Sequence, residues 1–198
     1  MHIGVTLRNM GPQSDRTTLL EGTSYAEELG FESVWVTDHI AIPPNDAEGS
    51  GGRYTDPLTT LAWLGGATQR IKLGVGVLIA PYRPPLPTAK TIATLHELTG
   101  ERLILGLAVG WMDPEFRALG VPRKERGART DELIAFLQQS FTEDVVRRNG
   151  QDFLFDPKPP LPPIYLGGAA AHALPRSCLL YTSPSPRDQR GSRMPSSA

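Results

Sequence analysis

The sequence predicts an α/β protein whose strands form a parallel sheet. Short apolar stretches and amphipathic segments alternate four times between Ile3 and Val109, and such alternation is typical of βαβ units. The stretch from Leu103 to Leu107 contains no polar residue, as expected of a strand that is covered on both faces. Gly30 and the Asp56-Pro57 pair stand where a helix should end and where the next should begin.

Five parallel strands and four helices follow from this pattern in chain order. The strands are predicted at Ile3–Leu7, Phe31–Thr37, Ile71–Ile79, Arg102–Val109 and Ile164–Leu166. The helices are predicted at Thr17–Leu29, Asp56–Thr68, Pro85–Leu98 and Thr130–Phe141, the last capped by Thr130. The segments Asp38–Arg53 and Trp111–Phe116 are expected to be loops, and His96 is expected to be partly exposed on its helix.

A β-hairpin is predicted between the fourth helix and the fifth parallel strand. Asn149-Gly150 lies in the middle of the segment Val145–Phe155, and this dipeptide favours a two-residue turn between antiparallel strands. A proline-rich connector, Pro157–Pro163, then leads to Ile164. We therefore expect a hairpin inserted into the repeating strand and helix order.

Residues 178–198 resemble a translated sequencing adapter rather than a biological segment. Cys178–Asp188 and Ser192–Ala198 match two adapter stretches in one reading frame. Composition alone would also allow an ordinary disordered tail rich in Ser, Pro and Arg. We expect a disordered, non-biological tail and leave it out of the prediction of fold and function.

Composition and charge disfavour several classes of function. The tail holds three arginines and one aspartate, so residues 1–177 keep 17 basic and 20 acidic side chains, without the basic surface that nucleic acid requires. No apolar run is long enough to span a membrane, and no secretory signal follows Met1. The only cysteine is Cys178, in the tail, and no His or acidic residues have the spacing of a metal site. We expect a cytoplasmic protein that binds neither metal nor nucleic acid.

Three blocks of sequence carry a resemblance to a known family. They are Ala26–His39, Leu73–Pro81 and Arg102–Gly120, and they are followed in the family's order by the hairpin and by Ile164–Gly168. The chain resembles the bacterial luciferase-like flavin and deazaflavin oxidoreductases over nearly all of residues 1–177. The resemblance implies a (β/α)₈ TIM barrel with an insertion at the hairpin, and an intact parent that forms a homodimer.

Only about five of the eight barrel strands are present, whereas such a barrel typically needs about 250 residues. We therefore expect that residues 1–177 are the N-terminal part of a truncated barrel, which is inactive by itself. The strands Ile3–Leu7 and Ile164–Leu166 would be left as unpaired edges of buried type, so we also expect aggregation or partial unfolding.

The candidate site lies where TIM barrels carry their chemistry, at the carboxyl ends of the strands. Asp38 and His39 follow the second strand, and the resemblance implies that Asp38 binds the coenzyme and that His39 faces its reactive side. An imidazole there can donate a hydrogen bond or transfer a proton near neutral pH. The alternative is that His39 is only structural, hydrogen-bonded to Asp38 or to the long loop.

Small residues at three further strand ends are candidates for coenzyme contacts. The resemblance implies a cis peptide bond and a bulge at Gly76-Val77 behind the coenzyme ring, contacts at its edge from Val109, Gly110 and Trp111, and phosphate contacts from Gly167, Gly168 and Ala169. The glycines alone are equally consistent with close packing inside a barrel.

The resemblance is greatest to the subgroup that uses the deazaflavin coenzyme F420. It implies hydride transfer between that coenzyme and a small organic substrate, with an FMN-dependent monooxygenase and a non-catalytic flavin-binding barrel as alternatives. Two positions depart from the family. Ala108 replaces the middle glycine of the fourth strand's motif, and Trp111 stands where sugar-phosphate dehydrogenases of the family place an acidic proton donor, so that activity is not expected.

Overall fold

The computed structural model describes residues 3–168 and 173–177. The chain separates into two compact units between Gly167 and Gly168. In the second unit, residues 173–177 are helical and Gly168 has a φ of 144°. The coenzyme contact expected at Ala169 and the disorder expected of residues 178–198 concern residues outside the described part of the chain.

The first unit contains a five-stranded parallel sheet with helices between its strands, so the predicted α/β class is confirmed. Its strands are β1 (Gly4–Thr6), β2 (Ser33–Val36), β3 (Lys72–Ile79), β4 (Leu103–Ala108), β5 (Val145–Arg148), β6 (Gln151–Leu154) and β7 (Ile164–Leu166). Its α-helices are α1 (Arg16–Glu28), α2 (Pro57–Ala67), α3 (Pro85–Leu98), α4 (Asp113–Ala118) and α5 (Arg126–Thr142). The parallel sheet has the order β1-β2-β3-β4-β7, and β5 pairs with β6 outside it.

Alternation along the central strands separates a fully buried face from a face lined by glycine and Trp35. Leu73 and Val75 in β3 are fully buried. A Cβ atom on Gly74 or Gly76 would instead meet the Trp35 ring, at 2.3 and 3.2 Å. Because successive side chains of a strand point to opposite faces, Trp35 fills the space over β3 that these two glycines leave.

Strand β3 is bulged near its carboxyl end. Its register against β4 shifts between Val75 and Leu78, and the Gly76-Val77 peptide bond is cis, as the family resemblance implies. Gly106 of β4 lies against the bulge, where an added Cβ would come within 2.4 Å of the Val75 carbonyl oxygen. Close packing of β4 against the bulge of β3 therefore explains why residue 106 is a glycine.

The predicted hairpin is confirmed. Strands β5 and β6 are antiparallel, and both turn residues have positive φ, 51° at Asn149 and 77° at Gly150, the combination that a type I′ turn requires. The Val146 side chain is buried, and the Arg148 guanidinium lies 5.0 Å from the centre of the Phe136 ring in α5. The hairpin is thus fixed against α5.

Three local predictions were wrong. Helix α5 begins at Arg126, not Thr130, because a 3₁₀ turn at Arg123–Glu125 leads into it; the Thr130 hydroxyl donates to the Arg126 carbonyl. Residues 113–118 form α4 instead of a loop. His96 is 3% exposed rather than at the surface, and its Nδ1 accepts a hydrogen bond from the Leu103 amide.

The amino-terminal side of the sheet is closed by two charged side chains that bind backbone groups. The Glu27 carboxylate accepts hydrogen bonds from three successive amides, Gln69, Arg70 and Ile71, just before β3. The Arg102 guanidinium, just before β4, makes five hydrogen bonds to the loops on this side. Its acceptors are the carbonyls of Gly65, Thr68, Ile71 and Thr99 and the Thr68 hydroxyl.

Candidate functional site

Side chains from separate loops meet at the carboxyl ends of β1 and β2. Asn9, three residues after β1, is fully buried. Its amide nitrogen donates to the Thr37 and Thr55 carbonyls, and its amide oxygen accepts from the Thr37 amide and hydroxyl. Asn9 therefore holds the chain in place immediately before the two residues that the sequence marks as functional.

Asp38 is buried in an ion pair that links the ends of β2 and β3. It is 2% exposed and accepts from the Ile79 amide at 2.9 Å. Both of its oxygens also accept from Arg83, at 2.5 and 2.9 Å, and Arg83 reaches Asp56 at 3.0 Å. Burial alone would lower the pKa of Arg83, but the two carboxylates outweigh it and raise that pKa. Asp38 thus connects the loops around the site.

His39 is held by a residue that the sequence prediction missed. The Glu115 carboxylate, fully buried on α4, lies with Oε2 2.8 Å from Nδ1 of His39. The same oxygen accepts from the Tyr82 hydroxyl at 2.9 Å. The other oxygen accepts from the Ile40 and Ala41 amides at 2.7 and 2.9 Å. Four nitrogen or oxygen atoms therefore converge on one buried carboxylate.

The surroundings of this carboxylate favour its charged form. Burial raises the pKa of Glu115, but the hydrogen bonds from Ala41, His39, Ile40 and Tyr82 outweigh burial and leave that pKa below its usual value. Burial and the adjacent Glu115 carboxylate raise the pKa of the Tyr82 phenol well above its usual value. Tyr82 therefore stays a neutral hydrogen-bond donor, and Glu115 stays an anion over the physiological range.

Two aromatic rings flank the imidazole. The ring centres of His39 and Tyr54 are 4.9 Å apart, and those of His39 and Trp111 are 6.2 Å apart, both in edge-to-face arrangements. Trp111 is 64% exposed, although a tryptophan is usually buried. The site thus presents a large aromatic surface to solvent next to a half-buried histidine.

A contiguous apolar surface, here called the shelf, is formed by Val77, Ala108 and Gly167. The three residues come from β3, β4 and the end of β7, and none of them is fully buried. A Cβ atom on Gly167 would lie 3.2 Å from Cγ1 of Val77 and 3.6 Å from Cβ of Ala108. Three neighbouring strands therefore present one accessible surface without polar side chains.

The other predicted site residues have distinct surroundings. Gly76 is exposed and Val109 is half-buried. Gly110 has a φ of 72°, and an added Cβ would come within 2.6 Å of Ile79 Cγ2. Its conformation and its packing both require glycine. The structure brings His39, Asp38 and Trp111 together through their partners, and it brings Val77 and Gly167 together on the shelf.

Glu115, Arg83 and Tyr82 were not found from the sequence. A signal for Glu115 does exist, because Pro114 favours a helix start and Phe116 needs a buried face. In the structure, Phe116 is buried against the Tyr82 ring at 5.1 Å. An acidic residue beside a buried aromatic residue at a helix start is a candidate buried carboxylate.

Neither a metal-binding cluster nor a membrane-spanning helix is found in the part of the chain that the structure describes. Among residues 3–168 and 173–177, no group of three or more His, Cys, Asp or Glu side chains could hold a metal ion. Within the same residues, no helix has both the length and the apolar character needed to cross a membrane.

The parallel sheet and the position of these groups define an α/β protein of the barrel type, with its polar site at the carboxyl ends of the strands. The chain belongs to the luciferase-like monooxygenase family, since the model of that family matches residues 1–177.

Individual relatives include proteins named for different coenzymes. An uncharacterized protein of Mycobacterium tuberculosis is 30% identical in a 182-residue alignment that covers 83% of this chain and 63% of that protein. An FMNH₂-dependent dimethylsulfone monooxygenase of Pseudomonas putida is 35% identical over 118 residues, 54% of this chain and 32% of the enzyme. The structure of an F420-dependent secondary alcohol dehydrogenase has a TM-score of 0.63 at 22% identity, covering 85% of this chain and 53% of that one. The chain therefore spans less than two thirds of the length of these proteins.

Proposed function

We propose that this chain is part of an oxidoreductase that transfers a hydride between an F420-type deazaflavin coenzyme and a small organic substrate. The observation that carries the proposal is His39, held by the buried Glu115 carboxylate and flanked by the exposed Trp111 ring. Functional groups of barrel enzymes lie at this end of the strands, and a half-buried histidine with a carboxylate partner is suited to proton transfer.

The residues present fit a flat, largely apolar coenzyme ring. The shelf of Val77, Ala108 and Gly167 is accessible and free of polar side chains, and binding sites for ring systems are mostly apolar with a few polar groups at the margin. Gly76, the exposed residue before Val77, extends this surface, and the exposed Trp111 ring lies beside His39. These residues would hold the ring, and the coenzyme would supply two electrons as a hydride.

The Nε2 atom of His39 would face the substrate. Its ring is held at Nδ1, and within the described residues Nε2 has no hydrogen-bond partner. A substrate oxygen next to Nε2 could receive a hydrogen bond or exchange a proton as it gains or loses the hydride. The buried ion pair of Asp38 and Arg83 would keep the loop that carries His39 against the end of β3.

Resemblance in sequence favours F420, at Gly76–Pro85, Ala89-Lys90 and Arg102–Trp111. The second candidate is an FMN-dependent monooxygenase on the same fold. It is supported by the relative from Pseudomonas putida, whose name gives FMNH₂ as its coenzyme. Both candidates would use the same shelf.

Equilibrium titration of the expected full-length parent with each coenzyme separates the two candidates. We expect F420 to bind at least about tenfold more tightly than FMN, a difference of about 1.4 kcal/mol. Quenching of coenzyme fluorescence under anaerobic conditions measures both dissociation constants. Selective binding of FMN, with oxygen consumption once the flavin is reduced, would overturn the F420 proposal in favour of the monooxygenase.

The His39→Asn substitution, made in the expected full-length parent, tests for catalysis as opposed to binding alone. Loss of a group that transfers a proton typically lowers turnover by about 10²–10⁴-fold, while affinity for the coenzyme should change little because the shelf is intact. Turnover in the variant equal to that of the wild type would favour a non-catalytic, flavin-binding barrel.

A further inference from the structure

The carboxylate of Glu115 has well-defined hydrogen-bonding demands. Oε1 faces two backbone N–H groups, Ile40 and Ala41, and these can only donate. Oε2 faces the Tyr82 hydroxyl and Nδ1 of His39. Oε1 therefore cannot carry a proton, since both of its partners are donors. The four hydrogen bonds together keep the pKa of Glu115 below its usual value, so the carboxylate is ionised near neutral pH and accepts on both oxygens.

An ionised carboxylate constrains the position of the proton on the neighbouring imidazole. Because Glu115 has no hydrogen to give, the 2.8 Å contact is a hydrogen bond only if Nδ1 of His39 is the donor. In a neutral imidazole one nitrogen carries the proton and the other carries a lone pair. A proton on Nδ1 therefore leaves the lone pair on Nε2.

We infer that Glu115 is a positioning residue that fixes the tautomer of His39, keeping a proton on Nδ1 and leaving Nε2 as the acceptor atom. Glu115 also accepts hydrogen bonds from the Ile40 and Ala41 amides, so it holds the backbone next to His39 as well as the ring. The consequence for catalysis, that Nε2 meets the substrate as a proton acceptor, rests on the proposed function; the tautomer does not.

The Glu115→Gln variant gives a specific test because the same contacts dictate how glutamine must lie. Its amide oxygen has to take the place of Oε1, since an NH₂ group there would face the two backbone donors of Ile40 and Ala41. Its NH₂ group then takes the place of Oε2 and donates to Nδ1 of His39. The neutral ring should respond by moving its proton to Nε2.

The ¹⁵N chemical shifts of histidine-labelled protein report which ring nitrogen is protonated. Spectra are recorded without coenzyme up to a pH at which the ring is neutral, and His39→Asn identifies the His39 signals. We expect the Nδ1-protonated form in the wild type and the Nε2-protonated form in Glu115→Gln. A wild-type ring protonated on Nε2 would overturn the inference even if the variant failed to fold, and so would a folded variant that kept the proton on Nδ1.

Two matched variants control for indirect effects. Tyr82→Phe removes another partner of Oε2 but leaves a carboxylate at Nδ1, so the tautomer should remain that of the wild type. Glu125→Gln makes the same chemical change on the surface, where Glu125 pairs with Arg129, and it should also leave His39 unaltered. A tautomer switch in either control would contradict the role of Glu115. Because no coenzyme is present, failure of the F420 proposal does not affect the result.

Discussion

The two ends of the parallel sheet use charged side chains in different ways. At the amino-terminal end, Glu27 and Arg102 bind backbone amides and carbonyls, with the Thr68 hydroxyl as the one side-chain partner. At the carboxyl-terminal end, Asp38 and Glu115 bind other side chains as well, Arg83 and His39. The first arrangement only closes loops, whereas the second also leaves a titratable ring with one nitrogen unoccupied by any described residue.

This difference separates stability from function along the strand direction. A charged side chain whose hydrogen bonds are nearly all made to backbone groups contributes to the stability of the fold and leaves no hydrogen-bonding group free for a ligand. A charge that orients a half-exposed side chain stabilises the fold and also defines the chemistry of that side chain. Substitutions at the amino-terminal end should therefore change the free energy of unfolding. Substitutions of exposed residues at the other end should instead change the affinity for the coenzyme.

The largest effect on stability is expected for Arg102→Met. The substitution leaves four carbonyl groups and a hydroxyl without their donor, and unsatisfied buried acceptors cost about 1–3 kcal/mol each, partly recovered through water. We expect the free energy of unfolding to fall by about 3 kcal/mol, measured by urea denaturation.

Arg117→Met is the matched control, because Arg117 is an exposed arginine paired only with Asp113 on its own helix. Exposed pairs of this kind contribute less than about 1 kcal/mol. Equal losses in the two variants would contradict the distinction between the two ends of the sheet.

A smaller, pH-dependent effect is expected at His96. Burial lowers the pKa of His96 below its usual value, so between that folded-state pKa and about 6.5 the unfolded chain binds the extra proton. The stability that neutral His96 provides is complete above about pH 6.5 and is lost as the pH falls towards the folded-state pKa.

The His96→Gln variant isolates this contribution, since glutamine can accept from the Leu103 amide but does not titrate. The difference in unfolding free energy between wild type and variant should be constant above about pH 6.5. Below that pH it should move against the wild type, by at most about 1.4 kcal/mol per pH unit. Parallel stability curves from pH 5 to 8 would show that His96 is not buried in its neutral form.

The smallest effect on stability, combined with a clear effect on binding, is expected for Trp111→Ala. The ring is mostly exposed and contacts His39 only at its edge, so the free energy of unfolding should change by less than about 0.5 kcal/mol. Affinity for F420 should fall by about tenfold if Trp111 packs against the coenzyme. Thermal unfolding and coenzyme titration of one preparation measure both quantities, and a large loss of stability with unchanged affinity would reverse the expectation.

Local patterns were sufficient to predict most of the parallel sheet and the hairpin. Helix α3 was predicted with both of its boundaries, because proline and glycine mark its ends and its apolar residues recur with helical spacing. The Asn149-Gly150 turn was predicted because only residues that tolerate positive φ fit such a loop. Both features depend on neighbours within a few positions of the chain.

The charged contacts of the site could not be predicted in the same way. Glu115 lies 76 residues from His39, and Arg83 lies 45 residues from Asp38. Helix α4, which carries Glu115, has only six residues, too few for an apolar period to be recognised. His96 was misjudged because the partner that satisfies its buried ring is a backbone amide seven residues later, which no residue pattern reveals.

The hydrogen bonds of Glu115 to the Ile40 and Ala41 amides also make the orientation of His39 observable in the native ensemble. Both amide hydrogens are held by the same oxygen, so they become exchangeable with solvent only when the loop separates from α4. That separation also releases Nδ1 of His39. Deuterium exchange at these two amides therefore measures how often, and with what free energy, the imidazole is freed from its carboxylate.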